Sequence, residues 1–210
     1  MTCCINEAST VPLDSLLRHV ATRVPELPYI VALDMLREKY IEFCRKSGLL
    51  VSYIELPIQA EVTNYFLEAP TGYEVFCVKG AGHPTGWSWQ NSNANHWFSM
   101  WGHRFWVKDN SEIVFARAPS SAESDRFVLL GVIPAPCCDS VPVSVATPYG
   151  SGIAAGAVAD ALCIPNKPWT NPNLADRYEL KFNRATLSAR NLSLTNRGGV
   201  TPQLQAIRIL

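Results

Sequence analysis

Apolar residues recur at helical spacing near both ends of this chain and at strand spacing through its middle. Leu13, Leu16, Leu17 and Val20 fall on one face, with Pro12 near the start, and predict a short helix over 10–20. Val24-Pro25-Glu26-Leu27-Pro28 is a proline-bounded link. Beyond it Val31 or Ala32, then Leu33, Leu36, Tyr40 and Phe43, form an apolar stripe opposite Arg37, Glu38, Glu42, Arg45 and Lys46. This pattern predicts a longer helix over 28–47, closed by Gly48 at the position after the last turn, where a left-handed backbone is favoured. The first segment is therefore expected to be a helical hairpin.

The period changes at about residue 49. Leu50–Leu56, Glu61–Leu67 and Tyr73–Lys79 are β-branched and aromatic runs separated by Pro57, Pro70 and Gly72, which predicts strands. Arg104–Lys108 and Glu112–Arg117 flank the turn formers Asp109-Asn110-Ser111 and predict a hairpin. Arg126–Ile133 and Val141–Val145 add two more strands. Between them, Gly80–Gly102 follows neither period; it carries Trp87, Trp89, Trp97 and Trp101 among Asn, Ser and Gly, and is expected to be a long loop. Aromatic rings among amides suit a sugar or a protein partner, or they serve to cover the β-rich domain.

Helical spacing resumes at 150. Ala or Gly at 154, 155, 156, 157, 159 and 161 makes a helix of little girth, which another helix backbone can approach closely. Pro165 and Pro168 end it. Asn171 is a fitting N-cap for a last helix over 171–191, with Pro172 in the first helical position and Leu174, Tyr178, Lys181 or Phe182, Ala185 and Ala189 along one side. The tail that follows ends in Ile207-Arg208-Ile209-Leu210, apolar enough to add a strand to its own fold or to dock on a neighbour. The expected class is α+β: a discontinuous α-helical bundle from 1–48 and 149–194, an inserted antiparallel β-rich domain over 49–148, and an extended C-terminal arm over 195–210.

Composition narrows the function classes. With 210 residues, 48% of them hydrophobic, the chain can bury a core. It contains no apolar run long enough to span a bilayer, and Met1–Ser9 lacks the basic start and apolar centre of a signal peptide, so cytoplasmic synthesis and use, or incorporation into a particle assembled there, is expected. Eighteen basic and eighteen acidic residues cancel overall, but Lys167–Leu210 holds seven basic against two acidic. Seven cysteines, four in adjacent pairs and none in a C-x-x-C, argue against a disulfide framework, and the four histidines lack the spacing of a zinc site.

Two enzyme constellations fail on detail. Strand, Gly150-Ser-Gly152 turn and helix come in dinucleotide-fold order, but the glycine spacing is wrong and Ile164–Trp169 stands where a second strand with a ribose-binding acid belongs. Close helix packing explains the glycines better. Cys138 with His96 or His103 would be a thiol nucleophile and base, yet no strand-to-helix elbow or local signature accompanies them. No cofactor, metal or catalytic residue is assigned.

Several motifs taken together resemble the head-to-tail adaptor (connector) proteins of tailed bacteriophages, the short-tailed type in particular. They are Val24–Pro28, Ala32–Arg37 with Ile41-Glu42-Phe43-Cys44-Arg45, Ile153–Ala157 through Pro165-Asn166-Lys167-Pro168-Trp169, Asn171-Pro172 and the Arg/Gly tail. They cover both halves of the expected bundle; the tryptophan-rich segment matches nothing in that pattern. The resemblance implies a structural virion protein of the neck rather than an enzyme. It implies a closed homo-oligomeric ring, typically a dodecamer, beneath the portal protein, which extends the DNA channel and carries the tail tube or nozzle protein. It places portal contacts in the arm, at Arg197, Leu204, Ile207, Arg208, Ile209 and Leu210. The slim helix at Ala154, Ala155, Gly156 and Ala159 is expected to pack the ring, and Trp87, Trp89, Trp97 and Trp101 to offer a tail-side or partner surface. Double-stranded DNA would pass without sequence recognition, since no clustered basic helix is present, and no membrane is involved. The alternative is a glycan- or receptor-binding tail component that uses the loop 80–102.

Overall fold

A computed structural model describes residues 10–83, 86–89, 98–100, 103–109, 111–122 and 127–195. In chain order the elements are β1 (Thr10–Pro12), a 3-10 turn (Leu13–Leu16), α1 (Leu17–Ala21), α2 (Tyr29–Ser47), β2 (Val51–Glu55), β3 (Asn64–Phe66), β4 (Tyr73–His83), β5 (Gly86–Trp89), β6 (Phe98–Met100), β7 (His103–Lys108), β8 (Glu112–Phe115), β9 (Phe127–Pro134), β10 (Ser140–Pro142), α3 (Val143–Cys163) and α4 (Pro172–Thr195). The class is mixed α+β. Two compact units divide the chain: one draws on it up to Leu49 and again from Pro134, the other on Leu50–Ile133.

All four helices belong to the first unit, and α3 is its centre, in contact with α1, α2 and α4. Every residue from Ile153 to Ala159 is buried, so this helix has no solvent face over two turns. Its glycines permit that. A methyl on Gly156 would sit 2.9 Å from Cδ2 of Phe182 and 3.0 Å from Cδ of Lys39, and one on Gly150 would sit 2.8 Å from Cδ2 of Leu16. Such distances are too short for carbon atoms, whose contact optimum is about 3.5–4.0 Å. The aromatic ring of Phe182 in turn lies beneath two ammonium groups of α2, with Lys39 Nζ 5.5 Å and Lys46 Nζ 5.9 Å from its centroid.

Residues 164–171 turn the chain from α3 into α4 by satisfying the carbonyls at the end of α3. The Trp169 indole donates to Ala161 O at 3.1 Å, the Asn171 amide to Leu162 O at 3.0 Å and the Thr170 hydroxyl to Ile164 O at 2.5 Å. Asn171 then caps α4: its Oδ1 accepts from the Leu174 amide at 3.1 Å, one of the amides a helix start leaves without an intrahelical partner. α2 follows the expected boundaries and ends at Gly48, whose φ of 57° is the left-handed turn that glycine adopts without strain.

Three expectations about this unit change. Thr10–Pro12 is a strand, not the first turn of a helix, because it pairs antiparallel with Ser140–Pro142, a partner far away in sequence. Of the strand expected at Val141–Val145 only the first two residues are extended; α3 begins at Val143 and runs through Pro148, where β-branched residues are overruled by burial of Val145 and Tyr149 in the helical core. The β-rich segment therefore stops near Ile133 rather than at 148. The inner face of α4 consists of Ala175, Phe182, Thr186 and Ala189, while Leu174 is exposed.

The second unit holds two four-stranded sheets, ordered β2-β9-β4-β5 and β3-β8-β7-β6. β9 lies between β2 and β4, with Val51 opposite Gly131 and Glu55 opposite Phe127, and is buried along nearly its whole length, as an interior strand covered on both faces must be. The expected hairpin forms as β7 and β8, its turn passing through Asp109 at φ 49°. The tryptophan-rich stretch is not wholly irregular. β4 continues to His83 and pairs with β5, and β6 pairs with β7. Glycine, serine and histidine in these strands hide the alternation a sequence pattern relies on. Trp87 and Trp89 stand on β5; Trp97 and Trp101 lie outside the described residues.

Candidate functional site

α1, α3 and α4 enclose a groove of about 410 Å³ in the helical unit. Its floor is mostly apolar, made by Pro148, Gly152, Ala155, Val158 and Ala185 with the hydroxyl of Ser151 beside them, and its rim carries His19, Arg23, Lys181 and Arg184. The placement follows from local structure. His19 and Arg23 are four residues apart along α1 and the turn that follows it, and Tyr178, Lys181 and Arg184 recur every three residues on α4, so each set lines one side. Small side chains on α3 leave the space between. No carboxylate lines the groove. Among the described residues Arg23, Lys181 and Arg184 have no ion-pair partner, and Lys181 Nζ instead rests 4.7 Å from the centroid of the Tyr178 ring.

α4 also exposes a row of leucines. Leu180 and Leu187 are each 56% exposed and Leu194 45%, at intervals of seven residues, so they drift only slightly around the helix and form one line opposite Phe182 and Ala189. Single exposed leucines need no explanation, but a regular row along a helix does. A second apolar patch opens α2, where Tyr29 is 60% and Ile30 72% exposed. Exposed Glu26 and Asp34, the latter paired with Arg37, flank this patch in sequence, and Asp176, Arg177, Glu179, Arg184 and Arg190 flank the leucine row.

Several charges elsewhere in the unit are paired. Arg37 donates to Asp139 at 2.6 Å and to Asp34 at 2.8 Å. Lys39 bridges Glu42 at 3.0 Å and Asp160 of α3 at 3.1 Å, and Lys46 meets Glu42 from the other side. Burial alone would raise the Glu42 pKa, but hydrogen bonds from Lys46 and Lys39 outweigh it and hold the carboxyl below its ordinary value. Burial alone would lower the Lys39 pKa, and Glu42 with Asp160 raise it overall.

Ala154, Ala155 and Ala159 are buried within their own unit, and Gly156 faces Phe182 and Lys39 of the same chain. As a direct contact for a neighbouring copy Ala154, Gly156 and Ala159 are already covered, at Gly156 by Phe182 of α4 and Lys39 of α2, while Ala155 lines the groove. Arg197, Leu204, Ile207, Arg208, Ile209 and Leu210, like Trp97 and Trp101, lie outside the described residues. Gly150, Gly152 and Gly156 all sit inside continuous α3, so no phosphate-cradling turn forms there. Cys138 is fully buried, its thiol directed at Ser140 O at 3.5 Å; burial pushes the thiol of Cys44 well above its ordinary value. Of the cysteines, 44, 77, 137, 138 and 163 are not disulfide-bonded, and no three-residue His/Cys/Asp/Glu cluster occurs among the described residues. No helix among them is long and apolar enough to cross a membrane.

The pattern of α4 alone announces Lys181 and Arg184, but nothing in sequence joins them to His19 and Arg23, more than a hundred residues earlier. The leucine row was legible as a seven-residue repeat. The sequence matches no family model and no curated protein.

Proposed function

We propose that the chain is a structural subunit of the neck of a tailed bacteriophage, a head-to-tail adaptor whose copies close into a ring, with a dodecamer as the expected form. The observation that carries this reading is the leucine row Leu180, Leu187 and Leu194, an apolar line on the outer face of a helix whose inner face is already packed. A ring built from one chain needs two unlike surfaces that fit each other. The row on α4 and the patch at Tyr29 and Ile30 on α2 are two different exposed apolar surfaces. Apolar contact between them would supply the attraction. Within this proposal the helical elements at both chain ends act as one bundle interrupted by the β-rich insertion. The arm 195–210 is assigned to the portal protein, the segment that carries Trp87, Trp89, Trp97 and Trp101 to the tail tube or nozzle protein, and double-stranded DNA passes through the bore unread.

The test is assembly. Leu180→Asp with Leu187→Asp should leave the helical circular dichroism of the subunit intact, since both residues are exposed, while rings no longer form on DNA-filled heads viewed by electron microscopy. Rings formed as readily by this variant would refute the assignment. Removal of residues 196–210 should give heads that package DNA and then leak it; normal retention would contradict the role given to the arm.

A further inference from the structure

We propose that the groove between α1, α3 and α4 is a docking site for an extended, acidic and apolar peptide segment of a partner protein. The proposal rests on the groove and goes beyond the adaptor reading. Arg23, Lys181 and Arg184 converge on one concavity, and no carboxylate of the chain neutralises them there. Bringing like charges together costs free energy that a bound anion returns. At about 410 Å³ the space lies within the range of small-ligand pockets, too small for a folded domain and large enough for a few side chains.

The floor distinguishes among anions. Gly152, Ala155, Val158 and Pro148 present carbon, and of the lining residues only Ser151 and Tyr178 add hydroxyls, so most of the surface between the cations is apolar. A segment that alternates carboxylates with leucine or a similar residue matches both levels, its acids on the guanidinium and ammonium groups of the rim and its apolar side chains on the floor. A nucleic-acid backbone would use the rim alone, and the chain as a whole, with eighteen basic and eighteen acidic residues, supplies no general field to attract it. Lys181 and Arg184 are mounted on α4, whose distance from α3 is set by the contacts of Gly152 with Ala185 and Gly156 with Phe182, and Arg23 lies in the turn after α1, so one wall of the site is formed before a ligand arrives.

The experiment is fluorescence anisotropy with a labelled peptide of alternating Leu and Asp, titrated with the full chain. Saturable binding is expected, and Arg23→Ala with Lys181→Ala should weaken it by about tenfold or more, equivalent to about 1.4 kcal/mol. Arg23→Lys with Lys181→Arg should retain most of it. A labelled polyglutamate of equal length should bind about tenfold more weakly than the Leu/Asp peptide, because it leaves the floor uncovered. Binding that ignores the alanine pair, polyglutamate binding as tight as the mixed peptide, or displacement of the peptide by short duplex DNA at lower concentration than by unlabelled peptide would each overturn the proposal. Circular dichroism melts confirm that every variant compared is folded.

Discussion

Replacement of Gly152 by alanine tests the central packing claim, because a methyl there would lie under 3.0 Å from the Cβ of Ala185 on α4. Carbon atoms pack at about 3.5–4.0 Å, so the two helices would have to separate by about one ångström or more. Overpacking of this kind costs about 1–3 kcal/mol. Alanine also gains about 1 kcal/mol over glycine in a helix interior, leaving Gly152→Ala destabilised by up to about 2 kcal/mol. Ala185→Gly alone should lose about 1 kcal/mol of helix propensity and little packing. Combined, the two changes move one methyl from α4 to α3: the propensities cancel, the clash disappears, and the double variant should return close to the parent. Urea unfolding followed by circular dichroism at the helix band reads this directly, because all four helices belong to one unit. Effects that add to within about 0.5 kcal/mol, with the double variant no more stable than the sum of the singles, would show that α3 and α4 do not touch at this point and would refute the account of the glycines.

Asn171→Ala should lower the stability of the helical unit by about 1 kcal/mol, with Asn171→Asp or Ser close to neutral, since a side-chain acceptor for the Leu174 amide is all that the position requires; equal losses in all three variants would count against the cap. pH acts through the Lys39, Glu42, Lys46 and Asp160 cluster. A carboxyl held below its ordinary pKa contributes stability above that value and loses it as pH falls through the folded-state pKa, so protonation of Glu42 below about pH 4.3 should weaken the unit. The raised Lys39 pKa contributes below about pH 10.4 and is lost as pH rises past it. Each pair contributes at most about 1 kcal/mol at this exposure, and Glu42→Gln should flatten the acid limb of a melting-temperature profile and also soften the alkaline limb, where Asp160 alone then holds up the Lys39 pKa. If the Trp-rich segment binds glycans, Trp89→Ala with Trp97→Ala should abolish binding to a glycan array and leave ring assembly intact; loss of assembly instead would place those residues in the adaptor's own contacts.

Local signals were enough for the elements with local causes. The stripe Ala32, Leu36, Tyr40 and Phe43 and the glycine at 48 specify α2 and its end. Asn171 with Pro172 specifies where α4 begins, and Lys167–Trp169 marks a break whose purpose, donation from Trp169 to Ala161 O, only the folded chain reveals. The small residues of α3 announced close helix contact but not with whom: Gly152 meets Ala185 and Gly156 meets Phe182 of the same chain, so the approach is used up inside the subunit and the free apolar surface moves to the outer line of α4.

What the amino-acid order determined by itself was the set of periodic elements, the glycine and proline punctuation and the absence of net charge, all short-range properties of the backbone and its side chains. Tertiary structure decided the rest. β1 is a strand only because Val141 lies opposite Val11, α3 starts at Val143 only because Val145 and Tyr149 are buried, and the basic groove exists only because α3 is thin enough for α1 and α4 to set His19 and Arg23 across from Lys181 and Arg184. Those outcomes depend on contacts between residues distant in sequence, whose free energy no local window contains.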